Sequence, residues 1–297
     1  MQHRDYTDIY AQFLTGFADT RKPLTIVADC SNGTTGMVWR ALSLPNITVH
    51  LINEEPDGNF PAHGPNPLAE GAADQIAAAV RKHGANLGVI FDADGDRAVF
   101  IDNTGRTLPS YVIAHLLFDE HKPPYVLDLP TYYIMKFIGY NRMRDIRASQ
   151  VGTRFIKTTM KKCGASTAAE YSGHYYFSDF FFSDSAILAV IKILNALSHL
   201  PQSLAEFYDS LPTVKIANFD IQLNKNSTKV LKELEAAFGD KAQGKNYLDG
   251  LVLEFSDWWF LARASNTEPL LRIFLAARNE QDIERNTKRL RSIIKNV

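Results

Sequence analysis

The amino-acid sequence predicts an α/β protein, with two α/β domains built on mixed or parallel sheets and a smaller α+β domain at the C-terminus. Short apolar runs alternate with stretches of helical periodicity, and this alternation starts again after Gly105. The pattern changes after Pro201 and Pro212. A chain of 297 residues also exceeds the roughly 150 expected of one domain. We therefore expect three domains, over residues 1–106, 107–211 and 212–297.

In the first domain, apolar side chains at helical spacing over residues 6–17 lead into a short apolar run at 23–28, which predicts a buried strand. The turn at 29–36 opens a second helical stretch. A helix at 72–84 and another buried strand at 85–91 follow. Strands that alternate with helices in this way are typical of a mostly parallel sheet.

The second domain repeats this pattern, so the first two domains could be related to each other. We expect a helix near 111–118, a strand at 125–129, a helix at 152–163 and a long apolar helix at 183–198. The third domain differs because its strands form hairpins. Its expected elements are an alternating strand at 214–223, a helix at 228–238, strands at 258–262 and 270–276, and a final helix at 280–295.

Composition excludes several classes of protein. Hydrophobic residues make up 45% of the chain and charged residues 22%, as in ordinary soluble folds. The net charge of -1 gives no broad electrostatic attraction for nucleic acid, and no apolar stretch reaches the ~20 residues that span a membrane. The polar N-terminus lacks the apolar core of a signal peptide, and the two cysteines, Cys30 and Cys163, are far apart. We expect a cytoplasmic protein.

Three aspartates directly follow the predicted strand at 85–91. Asp92, Asp94 and Asp96 repel one another on a tight turn unless a cation neutralises them, and oxygen ligands suit Mg²⁺ or Ca²⁺. An EF-hand is excluded because its sixth and twelfth positions are occupied by Arg97 and Asn103. The alternative is a solvated acidic turn. We call residues 91–97 the aspartate loop.

Two further polar segments could bind a ligand. Glu170, Ser172, Gly173 and His174 lie on a glycine turn, the histidine loop (residues 169–174), whose side chains could bind sugar hydroxyls or form an ordinary polar turn. The arginine loop (residues 263–269) forms a plausible phosphate cradle. Its candidate ligands are an arginine, two hydroxyls and an amide, with a second arginine beyond the proline: Arg263, Ser265, Asn266, Thr267 and Arg272.

These three loops together resemble the α-D-phosphohexomutases, specifically the phosphomannomutase/phosphoglucomutase branch. The family's metal loop reads Asp-Gly-Asp-Gly-Asp-Arg, which residues 92–97 match with one substitution. Its sugar loop usually reads Gly-Glu-Met-Ser-Gly-His, from which this chain departs at Ala169 and Tyr171. The phosphate loop, Arg-Ala-Ser-Asn-Thr-Glu-Pro, is unchanged at 263–269. Further agreement lies at residues 56–61, 65–68 and 151–157, and all segments keep the family's order.

The resemblance implies a reversible transfer of phosphate between the 1- and 6-positions of a hexose, through a bisphosphorylated intermediate. It implies Mg²⁺ on Asp92, Asp94 and Asp96, where the ion neutralises charge on the phosphoryl group. It also implies a mannose or glucose phosphate as substrate. The residues it places at the sugar are Glu170, Ser172, Gly173 and His174. The residues that it places at the phosphate that does not react are Arg263, Ser265, Asn266, Thr267 and Arg272. The residues that it places nearer the reacting end of the sugar are Arg97, Arg154, Lys157 and His174.

One family motif has no counterpart in these 297 residues. The family's phosphorylated serine lies in a segment like Thr-Ala-Ser-His-Asn-Pro, whereas the one Ser-His pair here, Ser198-His199, ends a predicted helix. Because a covalent relay cannot be replaced by positioning alone, we expect little or no mutase activity from this chain by itself. A separately encoded first domain or a second copy of the chain is the expected partner.

Two other interpretations stay open. In one, the chain binds sugar phosphates without catalysis, as a sensor or as the partner of a separate first domain. In the other, it is a metal-dependent phosphatase that uses the aspartates as nucleophile and acid, although the histidine and arginine loops then have no role.

Overall fold

The computed structural model describes residues 5–223, 226–265 and 268–296. These residues form three five-stranded sheets, two of them mixed and covered by helices and the third antiparallel. The predicted fold class is therefore confirmed. The exact domain bounds stay a prediction.

The first sheet contains the strands that lead to the aspartate loop. Its order is β2-β1-β3-β4-β5, with β1 parallel to β2 and β3, and with β4 antiparallel to β3 and β5. All residues of β3 and β4 are buried, and apart from Asp102 both sequences are apolar, as expected of strands covered on both faces. The elements are α1 (Thr7–Thr15), β1 (Leu24–Asp29), α2 (Thr35–Ala41), β2 (Ile47–Ile52), α3 (Asp74–His83), β3 (Leu87–Phe91), β4 (Ala98–Asp102) and β5 (Thr107–Leu108).

The second sheet repeats the topology of the first, strand by strand. The elements are α4 (Ser110–Glu120), β6 (Tyr125–Asp128), α5 (Leu129–Phe137), β7 (Ile146–Ser149), α6 (Thr153–Cys163), β8 (Thr167–Ala169), β9 (Tyr175–Phe177), β10 (Ser183–Asp184), α7 (Ala186–His199) and α8 (Leu204–Ser210). The strand order is β7-β6-β8-β9-β10, with the same parallel and antiparallel pairs. The suggested relation between the first two domains is thus supported by identical connectivity, in which β3 corresponds to β8.

The third sheet is antiparallel, in the order β11-β15-β14-β13-β12. Two helices pack on this sheet, where their apolar sides bury one face of it. The elements are β11 (Lys215–Gln222), α9 (Ser227–Phe238), β12 (Gly244–Asn246), β13 (Leu251–Glu254), β14 (Trp258–Ala264), β15 (Leu270–Ala277) and α10 (Glu280–Asn296). The arginine loop joins β14 to β15.

Two predicted elements need correction. The strand expected at 125–129 ends at Asp128, because the Asp128 side chain accepts a hydrogen bond from Thr131 N (3.0 Å) and caps α5, a helix that we did not predict. The helix expected at 183–198 begins only at Ala186. Ser183 and Asp184 instead pair with β9, and Ser185 caps α7 through Leu188 N.

Helices α4 and α7 pack between the first two sheets and join them into one apolar core. Eleven of the fourteen residues of α7 are buried, which explains its apolar sequence. Among the described residues no single helix is long and apolar enough to cross a membrane, although α7 and α8, bent by 83°, meet the length and composition criteria as a pair. The shared core fixes the relative position of the loops at the ends of both sheets.

Candidate functional site

The aspartate and histidine loops occupy equivalent positions in their sheets and contact each other. The first joins β3 to β4, and the second joins β8 to β9. Ala98 N donates a hydrogen bond to Gly173 O (3.0 Å), and Arg97 and His174 form a β-bridge. Gly173 is required here because its φ is +91° and a Cβ would lie 2.9 Å from Ala98 O. Two segments nearly 80 residues apart in sequence are thereby joined by backbone contacts.

The three aspartates of the aspartate loop converge. One carboxylate oxygen from each of Asp92, Asp94 and Asp96 lies within 4.8 Å of the others. Asp92 is buried and accepts hydrogen bonds from Gly95 N and Arg97 N (3.1 Å each) and from Arg97 Nε (2.6 Å). Asp94 is exposed and Asp96 is half-buried. This all-oxygen donor set fits a hard divalent cation such as Mg²⁺.

The electrostatics of the aspartate loop also favour a cation. Burial raises the pKa of Asp96 to about 6, and the hydrogen bond and the charge of Asp92 add to this effect. Burial opposes ionisation of Asp92 as well, but hydrogen bonds from Asp96 and Arg97 outweigh it and hold the pKa of Asp92 below its usual range. A bound cation would relieve the repulsion that keeps Asp96 hard to ionise.

The loop between β1 and α2 supports the aspartate loop from one side, a role that sequence reasoning missed. Ser31 Oγ donates to Phe91 O (2.5 Å), and Thr34 N donates to Ala93 O (2.9 Å). A Cβ on Gly33 would lie only 2.3 Å from Ala93 O, so the two backbones are in direct contact. In the sequence this turn was predicted only to open a helix.

Side chains of the histidine loop hydrogen-bond within the protein. Glu170 is buried, and its carboxylate accepts from Gly152 N (2.7 Å) and from the Tyr176 hydroxyl (2.5 Å). His174 Nδ1 lies 2.7 Å from Ser172 Oγ, and its Nε2 lies 3.3 Å from Asp96 Oδ2. Glu170 therefore supports the loop from beneath, while Ser172 and His174 lie nearer the surface.

Asp128 is a further residue at this site that sequence reasoning missed. It is fully buried, and besides capping α5 it accepts a hydrogen bond from Tyr171 N (3.0 Å) in the histidine loop. Burial raises the pKa of Asp128 to about 7, and the nearby Glu170 carboxylate adds to the shift. An aspartate at the end of an apolar run and two residues before Pro130 is a helix-start signal that could have revealed this position.

The two strands joined by the arginine loop present two cations on one face of the third sheet. Arg263 on β14 is the direct cross-strand partner of Arg272 on β15. Each has one loose acidic neighbour, Asp249 at 3.7 Å and Glu268 at 3.8 Å respectively. In the loop between the strands, Ser265 N donates to Leu270 O, and Ser265 Oγ accepts from Glu268 N. The predicted residues Asn266 and Thr267 lie outside the described residues.

A cavity of about 210 Å³ brings the histidine and arginine loops together. Ser172 lines it together with the pair Arg263 and Arg272, although Ser172 is some 90 positions from these arginines in sequence. Asp128 and Tyr171 also line this cavity. It can accommodate a small polar molecule that bears an anionic group facing the two arginines.

Arg154 and Lys157, predicted near the reaction, both lie on α6. Lys157 Nζ donates to Ser183 Oγ (2.9 Å) and lies 3.9 Å from Asp184 Oδ1. Arg154 is exposed on the first turn of the helix. Neither is among the described residues that line the 210 Å³ cavity.

Three family models match successive parts of the chain. They are described as phosphoglucomutase/phosphomannomutase alpha/beta/alpha domain II, matching residues 4–105, alpha/beta/alpha domain III, matching 111–214, and C-terminal domain, matching 221–292.

Curated relatives agree with these matches. A phosphohexose mutase of Xanthomonas campestris pv. campestris (strain B100) is 31% identical, over 96% of this chain and 66% of its own length. A phosphomannomutase of Methanocaldococcus jannaschii is 32% identical, over 91% of this chain and 61% of its own length. A phosphomannomutase of Escherichia coli K12 is 30% identical, over 99% of this chain and 68% of its own length. The chain thus spans about two thirds of the length of these relatives.

Solved structures share the fold. A phosphoglucomutase/phosphomannomutase family protein from Burkholderia thailandensis superposes with a TM-score of 0.83 at 24% identity, over 99% of this chain and 65% of the other. The N-acetylphosphoglucosamine mutase of Aspergillus fumigatus, solved with GlcNAc-6P and magnesium, gives a TM-score of 0.69 at 14% identity. This superposition covers 97% of the present chain and 69% of the other. At these identities the likeness concerns the fold alone.

Proposed function

Because this chain belongs to the phosphoglucomutase/phosphomannomutase family, we propose that it binds a hexose phosphate together with Mg²⁺ and serves the reversible transfer of phosphate between the 1- and 6-positions of the sugar. One observation carries this proposal. A single cavity joins Ser172 of the histidine loop to Arg263 and Arg272, and the aspartate loop contacts that same histidine loop.

The two arginines are suited to hold the phosphate that does not react. As cross-strand neighbours, Arg263 and Arg272 place two positive charges side by side, which is unfavourable unless an anion lies between them. Their distances to Asp249 and Glu268 exceed those of a hydrogen bond, so a phosphate can compete for both guanidinium groups. The set of phosphate-binding groups would be completed by Ser265, Asn266 and Thr267.

The histidine loop would bind the sugar. Ser172 and His174 already share a hydrogen bond, so the pair can exchange a proton with a sugar hydroxyl while its geometry is kept. Glu170, whose carboxylate is held by Gly152 N and Tyr176, would accept from a hydroxyl through its remaining lone pairs. Gly173 would hold the histidine loop against the aspartate loop through its contact with Ala98. Arg154 and Lys157 would approach the sugar or its transferring end.

The aspartate loop would hold the metal. Asp92, Asp94 and Asp96 would bind Mg²⁺, whose charge offsets that of the phosphoryl group during transfer. Arg97, fixed by Asp92, would stand beside this ion.

We further propose that this chain alone turns over little or no substrate. No segment of its 297 residues resembles the family's serine motif, and the comparisons cover about two thirds of each relative. A separate first domain or a second copy of the chain would be the partner. The same observation favours the alternative function, sugar-phosphate binding without catalysis. The free thiols Cys30 and Cys163 support a cytoplasmic location.

Calorimetric titration of glucose 1-phosphate and mannose 1-phosphate tests the binding proposal. We expect at least one sugar phosphate to bind, and to bind more tightly when Mg²⁺ is present. No binding of either sugar would refute both the mutase and the binding-protein interpretations. A coupled assay with a bisphosphate activator tests turnover, and release of inorganic phosphate instead would support the phosphatase interpretation.

A further inference from the structure

A second group of possible metal ligands lies beside the aspartate loop, at the junction of the first two sheets. One atom from each of Asp96, His174 and Asp184 lies within 4.8 Å of the others. We propose that these residues form a second divalent-cation site, which takes Zn²⁺ or a similar transition-metal ion rather than Mg²⁺. The site uses one residue from the aspartate loop, one from the histidine loop and one from β10.

The orientation of His174 supports this site. Its Nε2 faces Asp96, while its Nδ1 contacts Ser172 Oγ at 2.7 Å and lies 3.7 Å from Glu170 Oε2. A metal-binding histidine normally uses one ring nitrogen for the ion and hydrogen-bonds the other to a carboxylate or another polar group. The surroundings of Nδ1 therefore already direct Nε2 toward a cation.

The distances also fit an ion. Two ligands that each bind Zn²⁺ at about 2.1 Å in tetrahedral geometry lie about 3.4 Å apart. His174 Nε2 and Asp96 Oδ2 are 3.3 Å apart. A simple ion pair between these two residues would explain that distance, but it would not explain the approach of Asp184, a second carboxylate, to the same place.

Among the described residues, Lys157 is the cation that competes for Asp184. Lys157 Nζ lies 3.9 Å from Asp184 Oδ1, and Ser183 Oγ is 3.4 Å from the same oxygen. Both contacts use Oδ1, and in the part of the chain that the structure describes no hydrogen bond or ion pair uses Asp184 Oδ2. The side chain of Asp184 is 14% exposed and that of His174 is 18% exposed, so these two ligands are largely shielded from water, whereas the side chain of Asp96 is 42% exposed.

The donor set determines the kind of ion. An imidazole with two carboxylates suits Zn²⁺, Co²⁺ or Fe²⁺, whereas Mg²⁺ prefers oxygen ligands alone. Asp96 belongs to both groups, so the two sites are adjacent and interact through it. An ion held by His174 and Asp96 would tie the histidine loop to the aspartate loop. The inference does not depend on the proposed mutase or sugar-binding function.

Paired titrations of the full chain test the site. Co²⁺ binding is followed by its visible absorption and Zn²⁺ binding by calorimetry, and Mg²⁺ is titrated separately. We expect Asp184→Asn to weaken Co²⁺ and Zn²⁺ binding by about tenfold or more and to leave Mg²⁺ binding unchanged. Asp94→Asn should do the reverse. His174→Gln should remove the spectral features of a nitrogen ligand.

Two control variants make the result specific. Asp179→Asn removes an exposed carboxylate of the same domain, which pairs with Lys192, and should leave binding of all three ions unchanged. His83→Gln removes one ring of the stacked surface pair formed with His50, where Co²⁺ could bind adventitiously, and should not change the spectrum. Circular dichroism confirms that each variant is folded.

The proposal is overturned if Asp184→Asn leaves Co²⁺ and Zn²⁺ affinity unchanged, or if Asp94→Asn abolishes binding of all three ions. Either result would place the transition metal in the aspartate loop. If the chain does not bind Mg²⁺ but binds Co²⁺ in a way that depends on Asp184, the proposed magnesium site is refuted. The second site is supported by the same result.

Discussion

Two buried carboxylates, Asp128 and Glu170, hold the histidine loop from beneath. Asp128 bonds the backbone of Tyr171, and Glu170 bonds the backbone of Gly152 and the hydroxyl of Tyr176. Neither carboxylate has a basic partner in these contacts, and the charge of Glu170 opposes ionisation of Asp128. The stability of the loop is therefore linked to pH.

Asp128→Asn tests this link. The pKa of Asp128 is about 7 in the folded chain and 3.8 ordinarily, so between these values the folded chain keeps a proton that the unfolded chain has lost. The free energy of unfolding contributed by this group is fully present below pH 4 and falls as the pH rises toward 7. The variant cannot titrate, so its stability relative to the parent should rise by on the order of 2 to 4 kcal/mol over this range.

Urea unfolding at several pH values between 4 and 7 measures this difference. Asp240→Asn, an exposed carboxylate, controls for the loss of one charge. A difference between Asp128→Asn and the parent that stays constant with pH would contradict the assignment.

Arg272→Gln tests the arginine pair. Removing one of two adjacent like charges should leave thermal stability unchanged or slightly higher. Affinity for a hexose phosphate should fall by about tenfold or more, because a charge-assisted hydrogen bond contributes about 1.5–3 kcal/mol. Calorimetry checks both the variant and its control, Arg285→Gln, which removes an exposed arginine paired with Asp282 on α10. Equal losses in the two variants would exclude a specific role for Arg272.

At the scale of elements, the functional loops arise from one connectivity used twice. The loop that follows the third strand of the first sheet carries the aspartates, and its equivalent in the second sheet carries Glu170, Ser172 and His174. Helices α4 and α7 pack between the sheets, so the two loops lie against each other. Their contact requires close backbone approach at Gly173.

Gly173→Ala tests that contact, and Gly139→Ala is its matched control. Both glycines have positive φ, +91° and +77°. A Cβ at Gly173 would meet Ala98 O at 2.9 Å, whereas a Cβ at Gly139 would have no described atom within 4 Å. We expect Gly139→Ala to cost about 1 kcal/mol of unfolding free energy, from φ alone, and Gly173→Ala to cost about 1–3 kcal/mol more.

Denaturant unfolding of the two glycine variants gives these costs. Gly173→Ala should also weaken Mg²⁺ binding, because the clash separates the two loops. Equal stability of the two variants would show that the loops can move apart freely.

At the scale of the whole molecule, the third sheet must be held against the second for the cavity to exist. The Tyr171 ring packs edge-on against Phe274, with centroids 4.7 Å apart. Val151 N donates to Asp249 Oδ2 (3.1 Å), and Lys136 pairs with Glu254 across the same boundary. Together with apolar residues of the third sheet that share the core of the second domain, these contacts fix the distance between Ser172 and the arginine pair.

Tyr171→Ala should loosen this arrangement. Loss of the aromatic contact should lower the unfolding free energy by about 1 to 3 kcal/mol and weaken hexose phosphate binding, since the arginines are no longer held opposite Ser172. Calorimetric titration and thermal unfolding measure the two effects. Tyr247→Ala, which removes an exposed tyrosine of the third domain, should change neither by a comparable amount. Unaltered binding in Tyr171→Ala would mean that other contacts fix the cavity.

Local patterns in the sequence determined much of the fold. Apolar runs such as 85–91 predicted buried strands, because a strand covered on both faces needs continuous apolar residues. Helical spacing predicted α6 at 152–163, which begins one residue before the observed helix, Thr153–Cys163. The three aspartates were identified from spacing and charge alone. The strands β9 and β10 were not predicted, because segments of two or three residues are too short to show a periodicity of apolar side chains. Helix α5 was not predicted, because it begins directly after β6, where Asp128 caps it.

Only the tertiary structure decided which of these residues meet. Three features of the site join residues that are far apart in the chain. They are the contact of Ala98 with Gly173, the approach of Asp184 to Asp96, and the cavity shared by Ser172 and Arg263. Periodicity reports how each segment buries its own apolar side chains, and it contains no information on which segments pack together. The packing of α4 and α7 between two sheets of equal topology supplies that information, and it places the predicted loops beside one another.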